Sequence, residues 1–273
     1  MSDRMLALLA VGVCTLAVWT FIRLLRPGKF SLSGTPARPN ALHLLHVLAV
    51  YLIYMIIGSL TQLAVAALQG IDLVRGKPVP MTVNLPAMGV GHVVLIAGVL
   101  GVASMTFRSG PGRGLGLSGR RWISDIGRGI VGFLAVLPLC IAALMLTNYL
   151  IRQGILPIKP KEHPALEFVR QASPAWIVAV FAVTVAMAPI AEELFFRGLL
   201  QSLLRKYLGG PWPAILVVSV IFAAIHHPLY KDMPALFLLG VALGYNYERT
   251  GRLLGPIVMH AIFNAAMLWQ TLA

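Results

Sequence analysis

The sequence predicts an all-α fold, a polytopic membrane bundle of about eight transmembrane helices. Three observations carry that prediction. Of 273 residues, 58% are hydrophobic and only 11% are charged, against roughly 25% charged in a soluble domain. Mean hydropathy is +0.84. Several apolar runs exceed the ~18 residues that mark a bilayer-spanning helix. An ordinary soluble enzyme, a disordered chain and a disulfide scaffold are all excluded. Cys14 and Cys140 both fall inside predicted spans, so there is no disulfide framework to read.

In order, the spans are 5–25, 42–68, 87–107, 129–150, 175–204, 212–228, 233–247 and 253–272. The first follows Arg4, is too long for a signal-peptide core and lacks a small-residue cleavage site, so it is kept as a helix. The two short runs from Trp212 and Met233 are the ones expected to tilt or bend. Strands are excluded, because spanning strands alternate apolar and polar residues and these runs do not. The Gly/Pro-rich stretches Arg26–Asn40, Ser109–Gly119 and Gly154–Pro174 read as loops.

A net charge of +13 is not a nucleic-acid footprint, since Lys and Arg punctuate the hydrophobic runs instead of clustering on a soluble face. It reads as topology. With the N-terminus outside, thirteen Lys and Arg fall on inner loops and eight on outer segments, which favours both termini outside the cytoplasm. The expected location is the bacterial inner membrane.

Ionisable groups inside a span cost about 2.5–3.5 kcal/mol each on insertion scales and are functional candidates by default. Of the acids, only Glu192 and Glu193 lie in a hydrophobic environment. Glu193 and Arg197 stand at i and i+4 in the favourable order, so a salt bridge offsets part of the burial. Glu192 points about 100° away around the helix and has no local cation. A carboxylate so placed takes its partner from another helix, water or a metal, and such groups act as bases near neutral pH. The competing reading pairs both glutamates structurally across helices.

Histidines supply candidate partners. His226 ends Phe222-x-x-x-His226, and His260 and Asn264 share one face of the last helix at i and i+4. Singly, each reads as packing or as a tie between helices; His43, His46, His92 and His227 keep that reading. Depth groups the others. Lys206 to Glu192 and Trp212 to His226 are each ~21 Å along a helix, Arg252 to Asn264 is ~18 Å, and His260 is one turn shallower. A carboxylate and imidazole at one level deprotonate a water, and an imidazole and an amide donate to the oxyanion formed when water attacks an acyl or peptide carbonyl. No covalent nucleophile is in the set. Gly116-Leu-Ser-Gly119 matches a serine-protease motif but lies in a basic loop, embedded aspartate pairs are missing, and so is His-Glu-x-x-His. Gly240-x-x-x-Gly244 is a close-packing site.

Glu192-Glu193-x-x-x-Arg197, Phe222-x-x-x-His226 and His260-x-x-x-Asn264, in that order on successive hydrophobic segments, resemble the CPBP family, the CAAX proteases and bacteriocin-processing (Abi) intramembrane endopeptidases. The likeness covers about Pro174 to Met267. It implies a catalytic core in the last four helices (174–273), preceded by motif-free transmembrane helices over 1–173. It further implies hydrolysis of a peptide bond, with Glu192 as general base, His226 as its partner on the water, His260 and Asn264 as the oxyanion hole, and Glu193 and Arg197 orienting the site. The implied partners are a peptide or membrane-protein substrate and the lipid bilayer, with no nucleic acid. A divalent metal such as zinc suits the donor types of Glu192, His226 and His260, but the proposed mechanism does not require one and the cofactor stays open. The alternatives are a catalytically idle binding or immunity protein on the same architecture, and a proton-coupled transporter, which the lack of inverted repeats disfavours.

Overall fold

The computed structural model describes residues 10–17, 19–20, 31–35, 37–73, 77–117 and 119–272. Among them the fold is helical, apart from one isolated β-bridge between Asn40 and Phe107. Residues 10–17, 19 and 20 of the first expected span are helical; its other residues, with Ser118, lie outside the described set.

Among the described residues, four helices are long and apolar enough to cross a membrane: α1 (Leu44–Leu68), α2 (Met81–Thr106), α3 (Trp122–Arg152) and α4 (Pro174–Tyr207). Three more follow, α5 (Pro211–Ala224), α6 (Met233–Thr250) and α7 (Leu254–Leu272). Helix α5 has only 14 residues. Polar residues dilute the apolar window of the last two, Asn246, Glu248 and Arg249 in α6 and His260 and Asn264 in α7. Two expected loops contain short helices, Gly110–Gly114 and Pro164–Val169. The second forms because Pro164 occupies the first helical turn and the His163 side chain accepts from the Ala165 amide.

Helix α2 starts six residues before its expected beginning at 87, running through Pro86. A proline there cannot donate to the carbonyl four residues back, which is that of Thr82. Gln69 Nε2 donates to this carbonyl instead, at 3.2 Å, so the helix survives the missing bond.

The chain divides into two compact units. One comprises 38–118, 163–203 and 260 onward. Here α1 packs along α2 at small residues: a Cβ added to Gly91 would stand 2.9 Å from the Tyr54 ring, and one at Gly98 would meet Val50 at 3.3 Å. Helix α2 also packs on the middle of α4, and Met81, Leu85, Ala165, Val169, Val180, Val183 and Leu268 form a buried apolar cluster. Leu45, Leu52, Ile53, Ile56, Leu60 and Leu63 of α1 stay exposed, a surface suited to lipid rather than water.

The other unit comprises 119–162 and 204–259, with the described residues up to 37. Helix α6 packs on α5 and on α3. Gly240 sits against Ser219, where an added Cβ would lie 3.0 Å away, so its place as a close-packing glycine is real. Cys140 Sγ donates to the Ala235 carbonyl at 3.4 Å. Two buried acids are tied by arginines: Asp125 to Arg252 and Arg128, and Glu248 to Arg205, which also holds Thr35.

Candidate functional site

The glutamates sit on the straight α-helical segment Ala188–Glu193 of α4, between two widened π-helical stretches, Ala182–Met187 and Leu194–Gln201. Pro189 accounts for the first. Its ring crowds the preceding turn and it has no N–H to give, and a wider turn accommodates both. Such stretches recur at functional sites. At the junction the Ala188 amide donates to Val183, five residues back. In that register the Thr184 carbonyl would be served by residue 189, a proline, and is left without a helical donor. Asn264 Nδ2 donates to it at 2.9 Å.

Glu193 and Arg197 are fully buried and paired at 2.9 Å (Oε1 to Nη1), the bridge that i, i+4 spacing dictates. The same Oε1 accepts from His260 Nδ1 at 2.9 Å. Because a carboxylate only accepts, the proton is on Nδ1, and the ring turns Nε2 toward Glu192 Oε2, 3.9 Å away. That separation is too long for a direct hydrogen bond. Glu192 Oε2 is buried and makes no hydrogen bond, while its side chain as a whole is 20% exposed. Each adjacent carboxylate keeps a buried Oε2 without a hydrogen bond; they differ in that Glu193 Oε1 is locked by a cation and a ring at 2.9 Å, whereas Glu192 has only the His260 ring 3.9 Å away.

His226 belongs to the other compact unit. Its Nδ1 lies 2.7 Å from the Phe222 carbonyl, one turn back on the chain. A carbonyl accepts only, so this ring too is protonated on Nδ1 and presents Nε2 outward as acceptor. The Phe222 ring meets it edge-on at 5.0 Å, which explains the apolar residue at that position. Burial raises the pKa of the nearby Asp232, with Lys231 and His226 lowering it in part.

The structure thus groups Glu192, Glu193, Arg197 and His260 in one unit, anchors Asn264 there on the Thr184 carbonyl, and places His226 in the other. Helix α2 packs on the Ala188–Glu193 segment, and its His92 ring stacks on Tyr54 of α1 with 6.5 Å between centroids, a pairing that no motif or local spacing announces. No group of three or more His, Cys, Asp or Glu side chains among the described residues is arranged to hold a metal ion.

Fold and site together define a helical membrane protein with a polar acid–base cluster embedded in apolar helices. Residues 174–266 match the family model of type II CAAX prenyl endopeptidase Rce1-like proteins, the family that the three motifs resemble. Two curated relatives match the chain. The "Uncharacterized 24.3 kDa protein" of Escherichia coli is 29% identical over 96 residues, 34% of this chain and 44% of its own. The "Uncharacterized protein YpbD" of Bacillus subtilis (strain 168) is 39% identical over 84 residues, 29% of this chain and 39% of its own. The chain therefore spans less than half the length of these relatives. No solved structure matches it.

Proposed function

We propose that the protein is an intramembrane endopeptidase that hydrolyses a peptide bond with a water activated by Glu192. The observation that carries this reading is the division of labour between neighbouring carboxylates, within the segment that matches a protease family. Glu193 is neutralised by Arg197 and fixes His260, which leaves the Glu192 carboxylate for chemistry. As general base, Glu192 takes a proton from water while the oxygen bonds to the substrate carbonyl carbon. His226, with Nε2 as acceptor, is its partner on that water. The carbonyl electrons move to oxygen, where His260 and Asn264 form the oxyanion hole, Asn264 through its second amide hydrogen. The C–N bond then breaks, and Glu192 returns its proton to the leaving amine.

The substrate is a peptide or membrane protein. About eight spans, the last four carrying the core, in a bacterial inner membrane with both termini outside, fit the Lys and Arg distribution. The test is a proteomic comparison of peptide termini between cells carrying the intact protein and the Glu192→Ala form. Termini that vanish with Glu192→Ala, and equally with His226→Ala, at undiminished membrane levels are the expected result. Termini that persist refute the mechanism and favour the idle binding protein.

A further inference from the structure

An asparagine amide is planar and carries two hydrogens, so an acceptor that fixes one of them also aims the other. For Asn264 of α7 that acceptor is the Thr184 carbonyl of α4, 2.9 Å from Nδ2, within one compact unit. A backbone carbonyl inside a helix is ordinarily taken by the amide four residues on. Here the Ala188 amide donates to Val183 instead. The ladder has slipped by one residue, and the donor due at Thr184 is residue 189, a proline with no N–H. The Thr184 hydroxyl is spent elsewhere, donating to the Val180 carbonyl at 2.7 Å. Around this turn the walls are apolar, with Val180 and Val183 both in a buried cluster. A carbonyl orphaned in such surroundings is strongly disfavoured, and alanine at 189 would supply the missing amide.

We propose that Pro189 is a positioning residue for the oxyanion donor Asn264. By leaving the Thr184 carbonyl without a partner in its own helix, it creates the fixed acceptor that holds the Asn264 amide. The donor on α7 is thereby set relative to Glu192, which stands one turn beyond Pro189 on α4. A donor held in place before the reaction needs no reorganisation when the charge develops. The proposal rests on the reading of Asn264 as part of the oxyanion hole.

The experiment uses the full chain in detergent micelles with nitrogen-15 asparagine, the Asn264 side-chain signal being identified by its loss in Asn264→Leu. Pro189→Ala restores the backbone donor to Thr184 and releases the side chain. The Asn264 amide hydrogens are then expected to exchange with solvent about tenfold faster, while the melting temperature holds or rises by about 2 °C. Asn264→Leu should lower the melting temperature by about 4 °C with proline at 189 and by about 1 °C or less with alanine there. In cells, the Glu192-dependent peptide termini are expected to fall about tenfold in Pro189→Ala. An Asn264 signal unmoved by Pro189→Ala overturns the proposal, as do undiminished termini or an equal Asn264→Leu loss in both backgrounds. So does a lower melting temperature or failure to fold in Pro189→Ala, the mark of a proline kept for packing. Termini that survive Glu192→Ala or Asn264→Leu remove the hydrolytic reading itself, a result distinct from the exchange and melting outcomes, which need no activity.

Discussion

Both units bury acidic side chains, and they treat them differently. In the unit built on α3, α5 and α6, Asp125 and Glu248 each meet an arginine that keeps some exposure, 15% for Arg252 and 9% for Arg205. These pairs fasten distant parts of the chain, Asp125 to Arg252 and, through Arg205, Glu248 to Thr35. In the unit built on α1, α2 and the middle of α4, Glu193 and Arg197 have no exposure at all and pair at 2.9 Å, while their neighbour Glu192 is 20% exposed and comes no nearer than 3.9 Å to the His260 ring. A fold that needed only stability would treat all four acids alike. Leaving one uncommitted beside a locked one separates the group that does chemistry from the group that holds the frame.

The sharpest way to break this comparison is Arg197→Met. It strands the Glu193 charge, and removing one partner of a buried pair costs about 3–5 kcal/mol, visible as a large fall in the detergent melting temperature. Glu192→Gln in the same assay should move stability by less than about 1 kcal/mol, since no ion pair is lost. Equal losses would erase the distinction between the two glutamates. Next comes Arg205→Ala, which removes charged hydrogen bonds to Glu248 and Thr35. It should cost about 1.5–3 kcal/mol with the Glu192-dependent termini unchanged.

The smallest effect is expected at Asp232. Burial holds its carboxyl above the ordinary 3.8, with Lys231 and His226 offsetting part of the rise. A folded-state value above the unfolded one means that folding takes up protons as pH falls through that window. The group therefore lowers stability at neutral pH and contributes nothing below 3.8. Asp232→Asn should raise the melting temperature by about 1–2 °C at pH 7 and leave it unchanged at pH 3. A fall at pH 7 would show that this acid is matched like Asp125 and Glu248.

Much of the site was legible before any coordinates. Glu193 with Arg197 follows from four-residue spacing alone, and so does the shared face of His260 and Asn264. The attachment of His260 to Glu193 spans 67 residues, and no local rule encodes it. Asn264 was read as a donor to an oxyanion or a tie between helices; its bond to Thr184 exists because Pro189 and a widened turn orphan that carbonyl. His92 reads as packing from its isolated place in an apolar run, and it is buried and stacked on Tyr54, a partner that no local rule names.

The sequence by itself determined the solvent, the apolar segments and the neighbours along each helix. Those depend on composition and on a repeat of 3.6 residues. Which buried acid is matched and which is left free was decided by the tertiary structure. Partners from separate helices are chosen by close packing at Gly91 and by the turn distortion before Pro189, and neither leaves a local periodic signal.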